Sequence, residues 1–421
     1  MDLIYAEATP PGRGGVSIIR LSGDGARSAA ERLAGPLPRP RQAYLRALRD
    51  GNDVLDRALV MWFESGHSFT GEEVAEFHLH GAPVIVRHLG ALLSQAGARL
   101  AEAGEFTRRS FLNGKMDLSE IEGLGDLLAA ETDVQRRMAI RMSGGELARQ
   151  AEAWRTLLIR AGALVESSVD FAEEDVPEDV PDEVFDLLDR FCEELDRQIR
   201  GYAAAERIRN GFEVAVIGPP NVGKSSLINR ISGRDMALVS EIAGTTRDII
   251  ELRIDLRGLA VTMIDTAGLR VSDDRVESLG IDRARQRATA ADLRLHLSED
   301  GQVDDLLWRD GDLKVIAKAD LAGQTPGLAV SSVTGQGLDC LLEEVFNTLS
   351  SRVANPALIS HQRQLSSLLG AREALEGREG LPAELLAESI RRAGLSLDRL
   401  LGRIGAEDYL DVIFTSFCIG K

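Results

Sequence analysis

The stretch GPPNVGKS, residues 218–225, has the G-x-x-x-x-G-K-[ST] spacing of a loop that cradles phosphates. FEVAVI precedes it as a buried-strand run and SLINRI follows it with helical periodicity, which is the context the motif requires. Gly218 and Gly223 permit a tight turn, and the N–H groups at the start of the following helix point at the phosphates. In this arrangement Lys224 neutralises the β- and γ-phosphates and Ser225 ligates magnesium.

The remaining signals arrive in the order a GTPase needs. GTTRD, residues 244–248, can put a threonine hydroxyl on magnesium, Asp265 ends the strand VTMID, and Gly268 can offer its N–H to the γ-phosphate. AKAD, residues 317–320, follows the strand LKVI, and the Asp320 carboxylate can accept both the ring and the exocyclic N–H of guanine. Adenine lacks that donor pair, so GTP is favoured over ATP. Three departures stand out. Ala317 occupies a position where asparagine is usual, and a lost hydrogen bond of roughly 1 kcal/mol is expected to weaken nucleotide affinity several-fold. SSVTG, residues 331–335, is a looser match to the last base-contacting loop, with Ser332 in place of alanine. In DTAGLR, Leu269 stands where Ras-like enzymes have the glutamine that orients the attacking water, so hydrolysis is slow or another residue orients the water.

These loops need elements to hold them. At 421 residues the chain is long enough for two to four domains. Residues 1–116 mix short β-like runs (VSIIRLSG, ALVMWFES, EEVAEFHLHG) with one amphipathic stretch, VIVRHLGALLSQAG, and read as an α+β domain. Residues 117–210 have helical periodicity, with Ser119 and Glu122 at capping-box spacing near the start. EEDVPEDVPDE, residues 173–183, reads as a solvated linker between helices. From 211 to 350 strands and helices alternate as a doubly wound sheet requires, and 351–421 is helical again, ending in CIGK. The expected fold is therefore an α+β N-terminal domain followed by an α-helical domain interrupted by an inserted α/β P-loop GTPase domain of Ras-like type.

The formal charge of −18 argues against an extended basic footprint on nucleic acid and gives no sign of DNA binding. Cys192, Cys340 and Cys418 are scattered, without zinc or disulfide spacing, which suits a reducing compartment. The N-terminus has no apolar signal region and Arg160 interrupts LLIRAGALV, so the expected location is the cytoplasm, without a membrane span. His78 and His80 in HLHG lack an evident third ligand and read as core or edge residues.

ATPPGRGGVSIIRLSG at 8–23, GEFTRRSFLNGKMDLSEIEG at 104–123 and the terminal CIGK, together with the inserted GTPase, resemble the MnmE (TrmE) family of tRNA modification GTPases over essentially the whole chain. The resemblance implies a folate-binding N-terminal domain that forms a homodimer. It also implies an MnmG-like FAD protein as partner in a heterotetramer that modifies carbon 5 of the wobble uridine of certain tRNAs with a tetrahydrofolate one-carbon unit, as the 5-formyl or 5,10-methylene form. By resemblance the nucleotide lies against Asn221, Val222, Gly223, Lys224, Ser225 and Ser226, then Ser240, Glu241, Ile242, Ala243, Gly244, Thr245 and Thr246, then Asp265, Thr266, Ala267 and Gly268. Ala317, Lys318, Asp320, Ser331 and Ser332 fall to the base. Ser225 and Thr246 match the magnesium positions, and Asn221, Ser240, Ile242 and Thr245 the potassium positions. Potassium there takes the place of an arginine finger, and Glu277 matches the catalytic glutamate that positions water, which answers the question raised by Leu269. The family's folate contacts map onto Arg20, Glu76, Lys115 and Lys421. Cys418 is either a reactive thiol near that site or a small buried hydrophobe, and the tail is expected to lie against the folate site.

Two other readings compete. A ribosome-assembly GTPase should carry a basic RNA-binding module, and none is evident in this acidic chain. A guanine-nucleotide switch or scaffold that scarcely hydrolyses is kept open by Leu269 and Ala317.

Overall fold

A computed structural model describes residues 2–170, 180–234, 236–238, 251–265, 285–321, 327–405, 413, 414, 417 and 420. The chain forms two compact units, Met1–Gly125 with Gly394–Lys421, and Asp126–Ala393.

The first unit is built on a six-stranded sheet in the order β3-β4-β5-β2-β1-β6. The strands are β1 (Ile4–Glu7), β2 (Gly14–Ser22), β3 (Tyr44–Asp50), β4 (Asp53–Phe63), β5 (Val74–Gly81) and β6 (Arg99–Leu100). Period-two alternation sends Ile19, Leu21, Val60, Trp62, Phe77 and Leu79 to one face, where helices α1 (Ala26–Ala34) and α2 (Pro83–Gln95) close the core. Pro83 starts α2 where its missing N–H costs nothing. On the opposite face Ile4 and Ala6 pack with Phe106 of α3 (Glu105–Leu112). The C-terminal Phe414 and Phe417 join Leu118 and Ile121 in a further cluster. Their approach is close: a Cβ on Gly104 would lie 2.5 Å from the Phe414 carbonyl.

Helix α4 (Leu118–Ala129) is capped two residues earlier than its sequence suggests. Asp117 accepts from the Glu120 N–H at 2.9 Å and Glu120 accepts from the Asp117 N–H at 2.8 Å, so the capping pair is Asp117 and Glu120 and not Ser119 and Glu122. The reason is register: Ser119 already lies inside the first turn, and its hydroxyl donates back to Asp117 at 2.6 Å.

In the second unit, α5 (Asp133–Ser143) starts with a Thr132–Gln135 capping box. Helices α6 (Glu146–Asp170) and α7 (Asp182–Asn210) then pack together. Trp154, Leu158, Ala161 and Val165 on α6, and Val184, Leu188, Phe191 and Leu195 on α7, repeat at alternating steps of four and three and are all buried. The stretch 173–183, expected as a linker, falls largely outside the described residues, and its last two residues, Asp182 and Glu183, form the first turn of α7.

The α/β module follows as a sheet ordered β12-β11-β10-β7-β9-β8. Its strands are β7 (Phe212–Ile217), β8 (Glu251–Leu256), β9 (Leu259–Asp265), β10 (Leu293–Ser298), β11 (Leu313–Ile316) and β12 (Leu328–Ala329). Only the β8–β9 pair is antiparallel. Helix α8 (Lys224–Ser232) follows β7, α9 is described over 285–290, and α10 (Leu338–Ser350) closes the main core with Leu341, Val345 and Leu349. The chain then returns to helices α11 (Gln362–Ala374) and α12 (Ala383–Leu400). The inserted module between helical segments agrees with the expected fold class. Among the described residues no helix is long and apolar enough to cross a membrane.

Candidate functional site

β7 is where the strand order of the module reverses, with β9 on one side and β10 on the other. Such a point opens a crevice beyond the C-terminal strand ends, and the loop 218–223 leaves β7 there. Gly218 has φ 157° and a Cβ at this position would lie 2.0 Å from the Leu297 carbonyl, so only glycine fits. Asn221 at φ 62° and Gly223 at φ 106° are left-handed, the kind of curl that gathers successive N–H groups on one side as an anion nest. Lys224 begins α8, is buried, and folds its ammonium over the loop, donating to the carbonyls of Gly218 at 2.8 Å and Pro219 at 2.9 Å. Positive charge thus sits at a helix N-terminus that already favours anions.

Ser225 follows, and its hydroxyl donates to the carboxylate of Asp265 at 2.5 Å. Asp265 is the buried last residue of β9. The two together present hard oxygen donors of the kind magnesium prefers.

Two further loops converge on the phosphate loop. The Ser332 Oγ lies 3.6 Å from where a Cβ on Gly223 would be, which brings the 331–335 turn against it. That turn is organised by buried Ser331, whose hydroxyl accepts from Val333 N at 3.3 Å and Thr334 N at 3.1 Å. The 317–320 loop is fixed beside it by Ala319 N donating to Val330 O at 3.0 Å and Ala317 N to Ser298 O at 2.7 Å. Lys318 takes φ 57° and pairs with Glu299, while Asp320 is exposed. Ala317 is not an open gap: its methyl is buried in the same core cluster as Val222 and Val330. An asparagine amide there would have to be hydrogen-bonded inside that core.

Among the nucleotide and metal residues expected from sequence, Ser226 continues α8. Ser240, Glu241, Ile242, Ala243, Gly244, Thr245, Thr246, Thr266, Ala267, Gly268, Leu269 and Glu277 lie outside the described residues, as do Cys418 and Lys421. Among the described residues no group of three or more His, Cys, Asp or Glu is arranged to hold a metal. His80 instead contacts Asp56 at 2.7 Å, and although burial opposes it, that contact and the His80 and Arg57 N–H groups hold the Asp56 carboxyl below its usual range.

A second constellation lies in the first unit. Register puts Arg20 on β2 opposite Glu76 on β5, and the two pair at 2.9 Å. The Arg20 guanidinium lies 5.8 Å from the ring centres of both Phe69 and Phe106. His78, two residues along β5, has its Nε2 3.5 Å from Glu76, and that nitrogen is buried without a hydrogen-bond partner. Lys115 donates to the Gly66 carbonyl at 2.8 Å and packs against Gly71, at the two ends of the loop that carries Phe69. The C-terminal tail reaches β1: a Cβ on Gly420 would lie 2.2 Å from the Glu7 carbonyl. Sequence reasoning did not single out Phe69, Phe106 or the buried Arg109, which bonds Asp2, Glu72 and Glu105. The one signal for the last two was their place within GEFTRRSF.

A family model described as the MnmE helical domain matches residues 118–418, and one described as the GTP-binding protein TrmE N-terminus matches residues 3–115. The tRNA modification GTPase MnmE of Paracoccus denitrificans is 58% identical over 421 residues, covering 100% of both chains. The MnmE of Dinoroseobacter shibae is 49% identical over 429 residues, again covering 100% of both. Among solved structures, the G domain of the T. maritima FeoB iron transporter is similar at 24% identity over 32% of this chain and 98% of that one, with a TM-score of 0.26.

Proposed function

Because this chain belongs to the MnmE family of tRNA modification GTPases, we propose that it hydrolyses GTP in a potassium-dependent way and, with an MnmG-like flavoprotein, modifies carbon 5 of the wobble uridine using a reduced-folate one-carbon unit. GTP hydrolysis in tRNA modification is the family's activity. The observation that carries the nucleotide half is the junction of Lys224, Ser225 and Asp265 at the reversal of strand order.

In this reading Lys224 neutralises the β- and γ-phosphates and the curled loop binds them through its N–H groups. The Asp320 carboxylate selects guanine by accepting two donors that adenine does not offer together. Ser225, Asp265 and Thr246 would hold magnesium, which offsets phosphate charge when bound. Asn221, Ser240, Ile242 and Thr245 would hold potassium, which supplies positive charge between the β- and γ-phosphates when bound. Asn221 lies in the phosphate loop, and its side-chain amide oxygen is a hard donor of the kind an alkali cation takes. Glu277 orients the attacking water, a task Leu269 cannot perform.

Arg20, Glu76, Lys115 and Lys421 would hold the folate, which supplies the one-carbon unit when bound. The donor set fits: a guanidinium and a carboxylate lie side by side with the exposed ring of Phe69 near them, chemistry suited to a flat ring with carboxylate arms. In this reading the tail carrying Cys418 and Lys421 closes over that site in a homodimer.

The test is GTP turnover by the purified protein in potassium against sodium at equal ionic strength, with Glu277→Ala alongside. The expected result is strong acceleration by potassium, lost in Glu277→Ala while GTP still binds. Equally slow turnover in both salts overturns the potassium reading, and failure of the protein to bind a reduced folate overturns the one-carbon reading.

A further inference from the structure

Asp292, immediately before β10, joins three elements. Its carboxylate accepts from Glu213 N at 2.9 Å and pairs with Arg207 Nε at 3.1 Å, and its own N–H donates to the Glu213 carbonyl at 2.9 Å. Its carbonyl accepts from Arg352 at 2.5 Å. Arg207 lies in the last turn of α7, Glu213 lies in the strand that leads to the phosphate loop, and Arg352 lies just past α10, where the chain leaves the module. The Asp292 side chain is only 9% exposed, whereas Arg207 is 47% exposed, so the pair opens to solvent on the arginine side and is shielded on the side of β7.

One turn before Asp292, Arg287 on α9 pairs with Glu213 at 2.7 Å and also with Glu251. Glu251 is the first residue of β8, directly after the segment that contains Ser240 to Thr246. Helix α9 follows the segment that contains Gly268 and Glu277. Arg287 therefore ties the exits of both nucleotide-sensing segments to β7, and β7 is tied to Asp292.

On the other side of Asp292, α7 and the returning chain are stitched into one piece. Ala357 N donates to the Gly201 carbonyl at 3.1 Å, Leu358 N to Gln198 at 2.8 Å, and Tyr202 to Gln362 at 3.2 Å. Arg209 contacts His361 Nδ1 at 2.8 Å, and the opposite ring nitrogen meets Asp126 at 2.9 Å. A Cβ on Gly201 would lie 2.8 Å from Ala357 N, which shows how closely the two strands of this neck approach. These bonds span roughly three turns of α7, so a displacement at Asp292 acts on a helix end already bonded to the returning chain.

We propose that the Arg207–Asp292 ion pair is the link by which the state of the nucleotide-sensing segments reaches α7, with Arg207 as the positioning residue. The proposal rests on the GTPase activity alone, and on neither potassium nor folate. Spatial continuity becomes coupling only if the two nucleotide states differ at this link.

The experiment compares backbone hydrogen exchange of α7 over residues 198–210 in the full-length protein with GDP and with a non-hydrolysable GTP analogue, and measures GTP turnover on the same samples. The native protein is expected to show exchange that differs by about fivefold or more between the two states. Arg207→Ala is expected to abolish that difference with turnover held within about twofold, and Arg207→Lys, which keeps a cation opposite Asp292 and leaves its bond from Glu213 N in place, to retain part of it. Thermal melts confirm folding, and Arg207→Gln, which keeps the apolar stem, replaces Arg207→Ala if that variant unfolds. A nucleotide-dependent difference that survives Arg207→Ala, or its absence in the native protein, overturns the proposal. Failure of the GTPase reading itself registers separately, as absent turnover in the native protein.

Discussion

The hydroxyl of Ser225, at the start of α8, donates to the carboxylate of Asp265, at the end of β9, across 2.5 Å and 40 residues of chain. Both groups meet at the phosphate loop, so the pair reports whether β9 and α8 are in register for metal-assisted phosphate binding. Ser225→Ala removes a hydrogen bond to a charged group, worth about 1.5–3 kcal/mol. GTP affinity titrated against magnesium is expected to fall by roughly ten- to hundredfold, with secondary structure intact. Unchanged magnesium dependence would remove Ser225 from the metal site.

In the proposed reading Asp320 accepts two N–H groups of the base, so Asp320→Asn exchanges an acceptor for a donor. Xanthine carries a carbonyl where guanine carries its exocyclic amine. The substitution is expected to weaken GTP binding by at least about a hundredfold and to shift preference to xanthosine triphosphate. Competition between the two nucleotides measures it, and retained guanine preference would assign base recognition to another residue.

Gly420 has φ 99° and a Cβ there would meet the Glu7 carbonyl at 2.2 Å. Gly420→Ala is therefore expected to lift the tail from β1, with little effect on the melting temperature because so small a contact is lost. Binding of a reduced folate, followed by calorimetry, is expected to weaken about tenfold if the tail closes that site, since one charge-assisted contact is worth roughly 1.5–3 kcal/mol. Unaltered folate affinity would separate the tail from the folate site.

His296 lies buried in β10 against Trp308, at a ring distance of 5.1 Å, and 3.5 Å from Asp312. Burial pushes its pKa below the ordinary value, outweighing the nearby Asp312 carboxylate. Asp312 is committed elsewhere: Arg294 and the N–H groups of Arg309 and Arg294 outweigh its own burial and hold it below the usual carboxylate range. With the folded pKa of His296 below the unfolded value of about 6.5, the unfolded chain takes up the proton first. Stability is expected to be full above about pH 6.5 and to decline as pH falls from there toward the folded pKa. Chemical denaturation across that range checks the slope, and His296→Leu is expected to flatten it. Depression of Asp312 adds a further loss only at lower pH, beginning near the ordinary aspartate pKa of about 3.9.

Much of the site was legible in the sequence because its signals are local. The phosphate loop, the strand before it and the helix after it occupy one continuous stretch, so spacing alone identifies them. The seam between α6 and α7 is likewise written as steps of four and three. The capping residue of α4 lies two positions before the one that spacing suggests, because Asp117, Ser119, Glu120 and Glu122 all suit a first turn and only backbone register chooses among them.

By itself the sequence determined the phosphate-loop motif, the fold class and the family, each carried by residues close together in the chain. Tertiary structure alone decided that Arg20 pairs with Glu76 across 56 residues, that the Ala317 methyl fills core space, and that Arg207, Glu213 and Arg352 meet at Asp292. The physical reason is that strand register and the crossing of strands at β7 fix which distant side chains face one another. No local propensity encodes that choice; the packing of the whole unit makes it.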